Sequence, residues 1–133
     1  MVNKDFYTEF GKVVYAMAMA DGEIQDQEKQ AMFKMVREEL APLEHIKDEF
    51  GTDLAFYTLF SFESEEEIYH DSVKDAFTSF LDYLHLREIR PSDDVKQVCV
   101  SILKKMAKSY GRITKDEEAL LHEFEDKFRA LTH

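Results

Sequence analysis

Glycine and proline are scarce in this chain, with four and two among 133 residues. All-β domains need many tight turns and usually contain more of both, so helices are favoured before any pattern is read. Cysteine is limited to Cys99, which excludes an internal disulfide. No spacing of Cys and His matches a zinc site. Long apolar runs are missing too. The stretch LAFYTLFSF is the longest strongly apolar segment and is far too short to span a bilayer. Basic residues are the minority, 17 Lys and Arg against 28 Asp and Glu, for a formal net charge of -11. That argues against a nucleic-acid partner, because phosphate binding depends on a basic surface that releases counterions. It argues equally against docking on anionic lipid. It is compatible with simple solubility, with a bound cation, or with a basic partner surface. The chain has no Gly-rich phosphate loop, no G-x-S-x-G elbow and no H-E-x-x-H motif, so the expectation is a protein that is not an enzyme.

What is present is the material for one helical domain over residues 1–133. Hydrophobic residues make up 44% and charged residues 34%. A chain of this length buries roughly two-thirds of its unfolded surface, enough for one core. Apolar residues recur at helical spacing almost throughout. Phe6, Phe10, Val13, Val14 and Met17 mark a first helix. Met32, Met35, Val36 and Leu40 mark a second, predicted to end before Pro42. Gly51 breaks the next stretch, and Leu54, Phe56, Tyr57, Leu59 and Phe60 mark an aromatic helix. Ser64, with Glu67 three residues later, predicts the start of the longest helix. Pro91 and Ser92 open another, Val95 to Tyr110, and a last one runs from about Lys115 to Leu131. The expected fold is therefore an all-α compact bundle of about six to seven helices. Cys99 lies on the stripe Val95, Val98, Cys99, Ile102, Met106 and reads as a buried thiol.

The first and last helix pairs are alike without gaps. Val13 and Val14 align with Ile102 and Leu103, and Met17 and Ala18 with Met106 and Ala107. Gly22, Ile24 and Glu28 align with Gly111, Ile113 and Glu117. Repeat-like corners at 13–36 and 102–125, joined by crossover helices, suggest two pseudo-repeated helix-turn-helix units. The repeat also bears on VVYAMAMA, which imitates a short signal peptide ending in A-x-A. Its second copy reads ILKKMAKS and cannot be a secretory core, so the first copy reads as a fold element and the protein as cytoplasmic.

Each corner has a structural explanation. Gly22 and Gly111 suit a left-handed turn after a helix, and Ile24 and Ile113 can cover the helix end. Thr114 and Glu117 form a capping box, while Gln25 is a poor N-cap and leaves its box with Glu28 incomplete. The functional alternative is a cation. With Gly22 at position 6 of an EF-hand loop, Asp21 and Glu28 fall on positions 5 and 12. Positions 1 and 3 are then Met17 and Met19, which offer no hard oxygen, so this is not an EF-hand. A looser carboxylate site for a divalent cation, built from Asp21, Glu23 or Asp26 with Glu28, stays open beside the turn geometry. The pair Glu67 and His70 has di-iron spacing but lacks the remaining ligands. His122 and Asp126 read as a solvated face.

The pattern A-x-A-D-G-x-I-x-x-x-E, from Ala18 to Glu28, resembles the tellurite-resistance TerB-like family. The likeness covers roughly Val13 to Val36, and the repeat extends it to the C-terminal pair. It implies an all-helical bundle of pseudo-repeated halves with no known catalytic activity. It also implies a role in resistance to tellurite and other stresses, with a protein partner in the cytoplasm or at the membrane and metal sensing through acidic residues. Carried over, that points to Asp21, and then to Glu28 and Glu117. The second half departs from the pattern, with Tyr110 where the first has Asp21. Two functional expectations follow. One is a non-enzymatic interaction or sensor module in a metal or oxyanion stress response, with an acidic cation site near the first corner. The other is a helical scaffold that docks a partner protein or apolar ligand on an aromatic groove at Phe56, Tyr57 and Phe60, without metal. Several rings in so short a segment more usually mean core packing, and core is the favoured reading of these.

Overall fold

The computed structural model describes residues 3–19, 24–44, 46–65, 72–109 and 114–131. Six helices dominate the described residues: α1 (Lys4–Ala18), α2 (Asp26–Met35), α3 (Tyr57–Glu65), α4 (Val73–Leu86), α5 (Asp93–Ser109) and α6 (Lys115–Arg129). There is no strand among the described residues, only an isolated antiparallel bridge between Lys47 and Asp53. The all-α bundle expected from the sequence is what forms.

Helix α1 is the axis of the bundle. Asn3 caps it, its Oδ1 accepting from the Phe6 N–H at 3.0 Å. Ten of its fifteen residues are buried, on every side of the helix, as expected of a helix enclosed by others. It packs on α3, α4 and α5. The stripe Val13, Val14, Met17, Ala18 is buried, and so is its aligned stripe Ile102, Leu103, Met106, Ala107 on α5. The centre of the core is a group of phenylalanines around Phe80 of α4. Its ring centroid lies 5.6 Å from Phe6, 6.0 Å from Phe10, 6.1 Å from Phe124 and 5.9 Å from Phe128. Tilted and offset rings at such distances gain about 0.5–1.5 kcal/mol per pair beyond their buried area.

The α1–α3 contact is unusually close. A Cβ placed on Gly11 would sit 2.5 Å from the Thr58 carbonyl oxygen and 2.8 Å from the Ser61 Cβ. The inner face of α3 and of the 3₁₀ turn before it is accordingly small: Ala55, Thr58 and Ser61, with Phe62 beyond the crossing. Ser61 Oγ donates to the Thr8 carbonyl at 2.7 Å, so its buried hydroxyl is satisfied.

Two expectations about helix ends need correction. The second helix does not stop before Pro42. It continues through a π-helical segment, Val36–Leu40, into a last turn, Ala41–Glu44. The Ala41 N–H reaches the Val36 carbonyl, five residues back. Proline lacks an N–H and its ring crowds the carbonyl four residues back; the wider π turn just before it relieves that conflict without ending the helix. Nor does Ser64 open a helix. It lies near the end of α3, its Oγ donating to the Phe60 carbonyl at 2.9 Å. The next helix starts at Val73, where Ser72 Oγ accepts from the Asp75 N–H at 3.2 Å. Glu67 lies outside the described residues. The longest described helix is α5, with 17 residues.

At the far end, buried Lys96 of α5 donates from Nζ to the carbonyls of Arg129 and Leu131. A lysine there satisfies the open carbonyls of α6 and opposes its dipole. Glu125 of α6 joins the same pair of helices through Lys104 at 3.0 Å. That hydrogen bond holds the Glu125 carboxyl below its usual range despite partial burial.

Candidate functional site

The residues proposed for a cation site are not brought together among the described residues. Asp21, Gly22 and Glu23 lie outside the described residues, as do Tyr110, Gly111 and Ile113. Asp26 is exposed at the first position of α2. Glu28 is buried, with only 1% of its surface accessible. Its Oε1 accepts from the Gln25 N–H at 3.2 Å, so the box read as incomplete closes around Gln25. A glutamate at N3 can supply that bond whatever residue stands at the N-cap. In the second corner Glu117 is half-buried and its Oε1 accepts from the Thr114 N–H at 2.9 Å, with Thr114 Oγ1 accepting from the Glu117 N–H at 3.1 Å. Both glutamates thus act in capping. No group of three or more His, Cys, Asp or Glu suited to a metal occurs among the described residues. Ile24 packs against the core, as its covering role requires.

Cys99 is fully buried, and desolvation pushes its thiol well above the usual value. It is the inert core thiol that the stripe indicated. His122 is exposed, 3.8 Å from Glu118 on the same face. His85 and Asp82 stand on the exposed side of α4, beside a cleft of about 390 Å³ between α4 and α6.

The aromatic segment is divided. Phe62 is fully buried, packing edge-on to Tyr15 at 5.5 Å. Phe56 and Tyr57 are half-buried. Phe60 is 50% exposed and Phe50 is 82% exposed. For Phe60 the cause lies on the other side of α3. At Gly11 the two backbones lie so close that only small side chains fit at the crossing, and Tyr57 and Phe60 are left on the outer face.

This face is built by an ordered loop. Asp48 Oδ1 accepts from the N–H groups of Phe50 and Thr52 at 2.8 and 2.9 Å. Its Oδ2 accepts from the Tyr57 hydroxyl at 2.6 Å. Gly51 sits at φ 81°, a conformation that glycine adopts without a Cβ penalty. The Leu54 N–H reaches the Ile46 carbonyl at 2.8 Å, closing the base of the loop. The Tyr57 hydroxyl is the main influence lowering the Asp48 carboxyl, and the same bond raises the phenol. Tyr57 meets Phe60 edge-to-face at 5.3 Å, and Lys4 Nζ lies 5.1 Å from the Tyr57 ring centre. Asp48 escaped the sequence reading, and Phe50 was not named with Phe56, Tyr57 and Phe60. The signal was present in Asp48-Glu49-Phe50-Gly51, an aspartate set to cap its own turn with glycine at the left-handed position.

No helix of the described residues is long and apolar enough to cross a membrane. Compared with known proteins, the chain matches no family model, no curated protein and no solved structure.

Proposed function

We propose that this chain is a non-enzymatic interaction module of the cytoplasm that docks a partner protein on the outer face of α3. The observation that carries this reading is the exposure of Phe60 and Phe50, 50% and 82%, around the half-buried Tyr57. Exposed apolar groups that gather on one face, with polar residues around them, mark interaction sites far more often than scattered ones do. Aromatic rings are also the side chains that most often anchor protein interfaces. The loop that presents Phe50 is pinned by three hydrogen bonds to one aspartate, so its ordering cost is met before a partner arrives.

Site-specific photocrosslinking tests the reading. A benzophenone side chain at position 60, in cells that make the protein, should capture a defined partner. The same probe at exposed position 118 should not. Equal capture from both positions, or none from position 60, removes the docking face.

A metal or oxyanion stress role is a second reading, supported by the resemblance of Ala18–Glu28 to TerB-like proteins. Calorimetric titration with calcium, magnesium, zinc and manganese on wild type and Asp21→Asn tests it. Heat that is absent, or unchanged in the variant, ends the role of Asp21 as a ligand.

A further inference from the structure

The charge of this chain is unevenly placed. Residues 36–71 hold eleven Asp and Glu against two Lys and Arg. Residues 72–133 hold eleven of each, and residues 1–35 hold six acids and four bases. One stretch therefore contributes nine of the eleven net negative charges; three of its acids, Glu66, Glu67 and Asp71, lie outside the described residues. The π-helical segment and the turn Ala41–Glu44 pack on Leu54–Phe56, the turn that leads directly into α3. Along them Glu38, Glu39, Glu49 and Glu63 are exposed, against two exposed bases, Arg37 and Lys47. So are three large apolar side chains: Leu43 at 38%, Phe50 at 82% and Phe60 at 50%.

The combination selects among occupants. A second copy presenting the same face would oppose two surfaces on which carboxylates outnumber bases, and close like charges there cost several kcal/mol. Anionic lipid and nucleic acid are repelled for the same reason. What fits both features is a helix with an apolar stripe for the rings and Lys or Arg on its flanks for the carboxylates. The fold already holds one cation over this surface, Lys4 above the Tyr57 ring. Resting on the docking reading above, we infer that the α3 face binds a basic amphipathic helix of a partner protein.

The probes are three labelled peptides of about 18 residues, or five helical turns. One is a Leu/Lys amphipathic helix, one its Leu/Glu counterpart, and one a shuffled Leu/Lys peptide without the helical period. Binding to the full-length protein is read by fluorescence anisotropy. The Leu/Lys helix should bind at least about tenfold more tightly than either of the others, a difference of about 1.4 kcal/mol. Its affinity should fall as salt rises from about 50 to 300 mM. The Phe50→Ala, Phe60→Ala double variant should lose about tenfold or more while keeping the wild-type circular dichroism. Glu49→Gln, Glu63→Gln should weaken binding severalfold and reduce the salt dependence.

Several outcomes overturn the inference. Equal binding of the shuffled peptide, or no loss in the phenylalanine variant, means diffuse charge attraction. No binding by the Leu/Lys helix ends the proposal outright. Concentration-dependent dimerisation abolished by Phe60→Ala assigns the face to a second copy. Equal binding of the Leu/Glu helix, lost in the phenylalanine variant, removes the basic chemistry but leaves the docking face standing. Failure of the face itself reads differently, as absence of position-specific crosslinking from residue 60.

Discussion

Two sets of aromatic rings in this molecule differ only in what lies behind them. Around Phe80, rings from α1, α4 and α6 converge and exclude water. On α3 the backbone lies against Gly11, so the inner face has room for Ala55, Thr58 and Ser61 and the rings of Tyr57 and Phe60 turn outward. Aromatic density in a sequence therefore does not report burial. Helix separation does, and one glycine sets it here.

The largest test of that contrast is Phe80→Ala. Removing the ring at the centre of the first set should cost about 3–5 kcal/mol in urea denaturation. A loss below about 1 kcal/mol would mean that the set is not the core. Gly11→Ala comes next. The added methyl meets a backbone oxygen rather than a flexible side-chain end, so the cost should be about 1–3 kcal/mol from overpacking. It should also shift the α3 resonances in a heteronuclear NMR spectrum, while those around Phe80 stay put. Neutral behaviour would show that the close crossing does not control α3.

Acidification acts on a smaller scale, at the loop beneath Phe50. Asp48 is held below its ordinary value, first by the Tyr57 hydroxyl and then by the Thr52 N–H. Its contribution is full above the unfolded carboxylate value near pH 3.8 and is lost as pH falls through the lower folded one. Amide exchange at Phe50 and Thr52, corrected for its intrinsic pH dependence, should quicken only below that point. A Tyr57→Phe variant should move the onset upward toward the ordinary value, and an unmoved onset would exclude Tyr57 as the cause. The smallest stability effect belongs to Phe60→Ala. With half its surface already in water, its loss should cost about 1 kcal/mol, well below that of Phe80→Ala. A cost near that of Phe80→Ala would erase the distinction between the two sets.

Much of the helical plan was readable because local chemistry fixes it. The stripes of α1 and α5 repeat at helical spacing, and Thr114 with Glu117 states a helix start in four residues. Other local signals were ambiguous. Ser64-x-x-Glu67 and Ser72-x-x-Asp75 carry the same capping pattern, yet Ser64 Oγ turns back to the Phe60 carbonyl while Ser72 Oγ caps a helix start. Pro42 reads as a stop, yet a π turn lets the helix pass it. Of the candidate site residues, the rings of α3 were found but their direction was not. Glu28 was found as an acid at a corner, and its burial was not foreseen. A glutamate bound to its own helix start looks the same in sequence as one awaiting a cation.

By itself the sequence determined that this chain would be helical, where most helices run, and that its charge would gather in one stretch. These properties belong to residue types and their spacing, and neighbours close in the chain suffice to set them. Only the tertiary structure decided which face of α3 would be buried. That choice depends on Gly11, more than forty residues away, because the space between two helix backbones is set jointly by what each brings to the crossing.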